Sequence, residues 1–120
     1  MSQRARTGLA ALALGMQIAV LYAPRAPAVD SGGIPVDKLV HVAAFALPTA
    51  ALIAAGVPRG WVIGLMAVHA PLSEVVQGQF LADRSAEGAD VVADLVGVAL
   101  GALVASRLHR PEEVVVGSVE

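Results

Sequence analysis

Four long apolar segments constrain this chain more than any other feature of its sequence. They cover residues 8–23, 39–55, 61–81 and 91–106. Each is close to the ~17 to 25 residues that a helix needs to cross a hydrocarbon layer about 30 Å thick. Charged residues make up 15% of the chain, which is below the roughly 25% typical of soluble domains. The sequence therefore predicts an all-α integral membrane bundle of four transmembrane helices.

The segments predict one domain over residues 1–110, followed by a flexible tail at 111–120. Two alternatives remain open. The first segment has a basic start and a small-residue stretch at 26–28, as a cleaved signal peptide has, and its removal would leave three spans. The segments could also be buried helices of a soluble bundle, although none shows the polar face that such helices need.

Lysine and arginine residues are unevenly distributed between the ends of the predicted helices. With a cytoplasmic N-terminus, five of them lie inside, namely Arg4, Arg6, Arg59, Arg107 and Arg110, and three lie outside, namely Arg25, Lys38 and Arg84. Basic residues favour the cytoplasmic side of a membrane. We therefore expect both termini in the cytoplasm and a multi-pass protein of the inner (cytoplasmic) membrane.

Polar residues within the apolar segments fall near the predicted outer surface, at a depth of about 10 Å or less. They share helix faces in pairs: Asp37 with His41, Glu74 with Gln77, and Asp90 with Asp94. A charge that faces lipid costs at least ~2.5 to 3.5 kcal/mol. Glu74 and Asp94 should therefore face the inside of the bundle, where Lys38, Arg84 or a protonated His41 could be their partners.

Small residues recur at helical spacing on the face of the fourth segment that also carries Asp90 and Asp94. Gly97 and Gly101 are four residues apart, and Ala93 and Ala105 extend the same row. Such a row lets a neighbouring helix approach closely in a membrane. We expect this face to be packed inside the bundle.

The polar and small residues form one pattern between residues 37 and 101. It reads Asp37-Lys38-x-x-His41, then Phe45, Glu74-x-x-Gln77, Arg84, and Asp90-x-x-x-Asp94-x-x-Gly97-x-x-x-Gly101. This pattern resembles the VanZ-like family of bacterial membrane proteins, named after a teicoplanin-resistance accessory protein. The family commonly has Asn where this chain has Asp94. The resemblance implies a small bacterial envelope protein, of a kind linked in some members to lower glycopeptide susceptibility.

The combined residues predict a polar pocket that opens to the outer leaflet and binds an anionic group. Lys38 and Arg84 would hold a lipid phosphate or the carboxylate of a lipid-linked cell-wall precursor. The remaining pocket residues are Asp37, His41, Glu74, Gln77, Asp90 and Asp94. The expected partners are thus membrane lipids, and no basic stripe for nucleic acid is present.

Other interpretations of the same residues stay open. His41 or Glu74 could act as general base in a hydrolase or transferase for an outer-leaflet lipid-linked substrate. Asp37 and Asp90 could merely cap helices, and the whole set could be purely structural. His41 with Glu74, Asp90 and Asp94 could in principle bind a divalent ion, but a single histidine without a fixed ligand spacing is a weak signal for one. We therefore expect no metal and no cofactor. Ser73 is expected to bond its own helix, and His69 is not assigned to the pocket.

Overall fold

A computed structural model describes residues 1–23, 33, 35–81 and 86–108 of the chain. These residues form four helices: α1 (Gln3–Tyr22), α2 (Val36–Ala54), α3 (Arg59–Phe80) and α4 (Gly88–Leu108). The all-α prediction is therefore confirmed. Helices α1, α2 and α4 are long and apolar enough to cross a membrane, which indicates a membrane protein.

The helices begin earlier than their apolar segments do. Helix α1 starts at Gln3, where the Ser2 hydroxyl accepts a hydrogen bond from the Ala5 N–H (3.1 Å) and caps the helix. Helix α2 starts at Val36, so Asp37 lies within its first turn. The N-cap of α2 is Pro35, without a side-chain hydrogen bond, and Asp37 is the acidic residue of the first turn, where its charge suits the positive end of the helix dipole. The backbone hydrogen bonds of a helix do not stop at the edge of its apolar segment, so the first turn can include polar residues that precede the segment.

Helices α2 and α4 form the most extensive contact in the bundle. A Cβ atom added to Gly97 would collide with the backbone oxygen of Val42, and one added to Gly101 would collide with that of Ala46. The two helices therefore approach until backbone meets backbone, as small residues allow in membranes. Any larger side chain at Gly97 or Gly101 would push the helices apart.

Helices α1 and α3 meet through polar side chains. The buried amide of Gln17 donates to the sulfur of Met66 (3.6 Å). The Tyr22 hydroxyl and the His69 Nε2 atom are 2.8 Å apart, and their rings stack with centroids 6.0 Å apart. The His69 ring also contacts Phe45 at 5.5 Å between centroids. His69 thus joins helices at the centre of the bundle.

The apolar core is small and lies between the helices. It consists of Leu21, Phe45, Val62, Met66, Ala70 and Val98. Many other large apolar side chains point outward, and Leu12, Leu47 and Leu103 are each about half exposed. Soluble monomers rarely expose so much contiguous apolar surface, whereas a lipid-facing surface is expected to.

Contacts at one end of the bundle show how the helices alternate in direction. The Gln3 amide donates to the Ala55 oxygen (2.7 Å), and Arg59 bonds the Ser106 hydroxyl. The start of α1, the turn between α2 and α3, and the end of α4 therefore lie together. The start of α2, the end of α3 and the start of α4 consequently meet at the opposite end.

Candidate functional site

The ammonium group of Lys38 stands at the outer edge of this opposite end, in the first turn of α2. Its Nζ atom lies 2.9 Å from Asp37, 2.6 Å from Glu87 and 2.5 Å from Asp90. An ammonium has three N–H donors, so each one has a carboxylate within reach. Asp37 and Glu87 are exposed, whereas Asp90 is buried. Lys38 therefore links the surface of the site to its interior.

The imidazole of His41 lies one turn deeper and touches carboxylates from two other helices. Its Nδ1 atom is 2.7 Å from Asp94 Oδ1 and 3.9 Å from Glu74 Oε1, and its Nε2 atom is 3.6 Å from Asp90 Oδ2. An ionised carboxylate can only accept a hydrogen bond, so we assign the proton to Nδ1. In the neutral ring, Nε2 then keeps a lone pair.

Glu74 connects the interior of the site to the backbone just before α4. Its Oε2 atom accepts a hydrogen bond from the Glu87 N–H at 3.0 Å. Its other oxygen, Oε1, and the Oδ2 atom of Asp94 are buried and have no hydrogen-bond partner among the described residues. Buried polar atoms are nearly always paired, so these two oxygens need an explanation.

Gln77 faces a different neighbour. Its side-chain amide donates to the backbone oxygen of Leu21 (2.7 Å), near the end of α1. The last carbonyls of a helix lack hydrogen-bond partners within it, and Gln77 provides a donor for one of these carbonyls. The bond joins α3 to α1 and is not directed at the charged residues of the site.

The structure therefore unites six of the eight residues that the sequence assigns to the pocket. With Glu87 they form what we call the polar cluster: Asp37, Lys38, His41, Glu74, Glu87, Asp90 and Asp94. Arg84 lies outside the described residues. Glu87 was not predicted, although an acidic residue three positions before Asp90, at the same predicted outer end, was the available signal. Ser73 donates to the Ala70 oxygen of its own helix (2.8 Å), as expected.

The polar cluster is rich in negative charge. Among the described residues, its five carboxylates face one lysine and one histidine. Asp90 lies within the first turn of α4 and receives Lys38, so pairing with a cation describes it better than capping does. Chemically, the interior of the cluster can take up a cation or a proton, while its Lys38 edge can meet an anion.

Comparisons of this chain with protein-family models, curated proteins and solved structures give no match. The resemblance to VanZ-like proteins thus depends on the residues quoted above and stays a prediction.

Proposed function

We propose that this chain is a VanZ-like cell-envelope membrane protein that binds the anionic head group of a lipid or lipid-linked cell-wall precursor. One observation carries the proposal: ionisable side chains from three helices converge at one end of an otherwise apolar bundle. Ionisable residues within membrane segments are expensive and mark ligand or ion sites. A purely structural role explains the pairs of the cluster, but not the two buried oxygens, Glu74 Oε1 and Asp94 Oδ2, that have no partner among the described residues.

The Lys38 edge is the proposed contact for the anion. The Lys38 side chain is 28% exposed, and two of its carboxylate partners, Asp37 and Glu87, are solvent-exposed. Exposed ion pairs contribute little to stability, so a phosphate or carboxylate can replace these partners at Nζ. The buried Asp90 would continue to hold the ammonium in place. Arg84 is the proposed second cation.

Helix α3 is the proposed fourth span. Its outward face carries an apolar stripe, and the stripe residues are 53% to 69% exposed. They are Trp61, Leu65, Val68, Leu72 and Val75. Three of its polar residues, Ser73, Glu74 and Gln77, are buried, and the exposed Arg59 and Gln79 lie at or near its two ends. Lipid would therefore meet only apolar side chains along this stripe, which supports a membrane-spanning α3.

The distribution of basic residues supports an orientation with both termini in the cytoplasm. Arg4, Arg6, Arg59 and Arg107 lie at the end opposite to the polar cluster, and basic residues favour the cytoplasmic side. The polar cluster would then open to the outer leaflet of the inner membrane.

This orientation can be tested because the chain has no cysteine. We expect Pro35→Cys to react with a membrane-impermeant maleimide in intact cells, and Arg107→Cys to react only after permeabilisation. The reverse pattern, or labelling of both in intact cells, would reject the orientation. Both positions are exposed, so access to each thiol depends on the membrane alone.

The head-group proposal can be tested with the purified full-length chain in nanodiscs. Short-chain phosphatidylglycerol and an isoprenyl phosphate are titrated against phosphatidylcholine, which has no net charge. We expect preference for the anionic lipids, and a loss of about tenfold in affinity (about 1.4 kcal/mol) in Lys38→Gln. Arg107→Gln removes the same charge at the other end and should bind as the parent does. Equal binding of all lipids would reject the proposal.

The link to glycopeptides is tested in cells. Expression of the parent chain should shift teicoplanin susceptibility if a cell-wall precursor is the ligand, and Lys38→Gln at matched membrane level should abolish the shift. If phosphatidylglycerol binds and susceptibility does not change, a membrane lipid is the ligand.

A second candidate function is hydrolysis or group transfer on a lipid-linked substrate. The observation that favours it is the 2.7 Å contact between His41 Nδ1 and Asp94 Oδ1, because a carboxylate that orients an imidazole leaves Nε2 available as a general base. Turnover of an outer-leaflet lipid that is lost in His41→Gln and retained in Lys38→Gln would favour this function. Absence of turnover in the parent would reject it.

A further inference from the structure

Three carboxylates around His41 each have one oxygen with a partner among the described residues. Asp90 Oδ1 receives Lys38, Glu74 Oε2 receives the Glu87 N–H, and Asp94 Oδ1 receives His41 Nδ1. Of the second oxygens, Glu74 Oε1 and Asp94 Oδ2 have no hydrogen bond from any described residue. Asp90 Oδ2 is 3.6 Å from His41 Nε2, which is longer than a hydrogen bond. Two buried acceptors without a partner among the described residues, and a third carboxylate oxygen 3.6 Å from Nε2, therefore lie around one ring.

We propose that this interior binds a divalent metal ion through His41, Glu74 and Asp90. All three side chains are buried, and one ligand atom from each lies within 4.8 Å of the others. Metal–ligand bonds of roughly 2.0 to 2.5 Å place two ligands of one ion at most about 5 Å apart. The three residues thus lie close enough together to hold a single ion.

Asp94 is the proposed positioning residue of this site. It accepts the Nδ1 proton of His41 and so directs the lone pair of Nε2 away from itself. Histidines that bind metals usually donate their other N–H to a carboxylate or carbonyl in this way, which fixes the tautomer and increases the basicity of the ligand. The sequence contains only a weak signal for a metal, because spacing along the chain cannot show that three helices bring these atoms together.

The donor set indicates the class of ion. One imidazole nitrogen with carboxylate oxygens suits Zn²⁺ or Mn²⁺, whereas Ca²⁺ and Mg²⁺ prefer oxygen ligands alone. The ion would also offset the negative charge of the cluster. If the proposed head-group binding holds, the ion would offer an open coordination position to the anion, next to Lys38. This last step depends on the proposed function, whereas the metal site itself does not.

The experiment measures metal binding by the purified full-length chain without added lipid. After removal of metals, Mn²⁺ is titrated and its free signal followed by electron paramagnetic resonance, and Zn²⁺ is titrated against a chromophoric chelator. We expect one ion per chain. Glu74→Gln and His41→Gln should each lower the affinity by about tenfold or more, as loss of a supporting or direct ligand does.

Two further variants separate this site from general acidity and from simple folding defects. Glu87→Gln removes a carboxylate of the same cluster that is not a proposed ligand, and it should weaken metal binding less than Glu74→Gln does. Asp94→Asn should weaken binding by about tenfold and Asp94→Glu should partly restore it, at unchanged helicity. No saturable binding by the parent, or equal losses in Glu87→Gln and Glu74→Gln, would overturn the metal site.

Lipid titrations in excess chelator distinguish the two proposals. If anionic lipid still binds in chelator and the parent takes up no metal, the metal site is wrong and the head-group proposal stands. If metal binds in the predicted variant order and no lipid is preferred, the metal site stands and the head-group proposal is wrong.

Discussion

Helices α2 and α4 meet in two different ways along one contact. At their starts the contact is ionic, through Lys38 with Asp90 and His41 with Asp94. Further along, the backbone of α2 packs directly on Gly97 and Gly101 of α4. Gly97 follows Asp94 by less than one turn and Gly101 by about two turns, so the close packing they permit is what allows a short aspartate to reach the imidazole. The part of the contact that packs on the glycines, here called the packed half, thus sets the distances between the charged side chains, which form the ionic half.

The largest effect is expected from filling the packed half. Gly101→Leu would place a side chain against the Ala46 backbone oxygen and within 2.8 Å of the Thr49 Cβ atom. Overpacking typically costs about 1 to 3 kcal/mol when side chains can shift, and more is expected here because backbone is the obstacle. Thermal unfolding in detergent, with size-exclusion chromatography, measures the loss.

Gly64→Leu is the matched control for this substitution. It adds the same side chain to a helical glycine, and a Cβ there meets nothing within 4 Å. The control should unfold as the parent does. Equal destabilisation of Gly64→Leu and Gly101→Leu would show that the α2–α4 contact is not specially tight.

A smaller loss is expected from the ionic half. Lys38→Met leaves the buried Asp90 without its cation, and we expect a loss of about 2 kcal/mol, below the ~3 to 5 kcal/mol of fully buried pairs because Lys38 is 28% exposed. The double variant Lys38→Met with Asp90→Leu should recover most of this stability. Denaturant unfolding of the double-mutant cycle measures the coupling. Additive losses would contradict a paired charge.

Gln77 tests how much a single hydrogen bond outside the α2–α4 contact contributes to stability, compared with the Lys38–Asp90 pair. Gln77→Leu removes the donor to the Leu21 oxygen, and interhelical hydrogen bonds in membranes contribute about 0.6 kcal/mol, with a maximum of about 1.7 kcal/mol. The same unfolding assay should give a loss in this range, with metal and lipid binding unchanged. Altered metal binding would place Gln77 in the site after all.

The smallest effect is expected at the exposed edge of the polar cluster. Asp37 contacts Lys38 at 2.9 Å, but its side chain is 65% exposed, so water replaces this contact readily. Asp37→Asn should unfold as the parent does within experimental error, and it should bind anionic lipid at least as tightly because one competitor for Nζ is gone. Weaker lipid binding would contradict the proposed displacement.

The residues that share a helix face could be predicted from the sequence, because they recur at the spacing of a helical turn. His41 and Asp94 each lie one helical turn from another predicted pocket residue, and the face of Gly97 and Gly101 was identified from its four-residue period. Helix ends were predicted less well, since hydropathy does not detect the polar first turns that contain Gln3 and Asp37.

Partners across the bundle were beyond the reach of spacing. Nothing local indicates that Gln77 reaches the end of α1 or that Glu74 accepts from the Glu87 backbone. The sequence predicted a span at 61–81, whereas α3 is not among the described helices that are apolar enough on average to cross a membrane. Buried polar residues such as Glu74 and Gln77 lower that average, although the outer face of α3 is apolar. The exposed face of a helix and its contacts with other helices are known only once the helices are assembled.

The hydrogen bond from the Glu87 N–H to Glu74 connects the interior of the site to the backbone before α4. The same carboxylate serves the interior of the site with Oε1 and the backbone before α4 with Oε2. Whatever turns this carboxylate must stretch or break its bond to the backbone. A ligand that turned this carboxylate at Oε1 would therefore also change its contact with the Glu87 N–H, just before α4 begins.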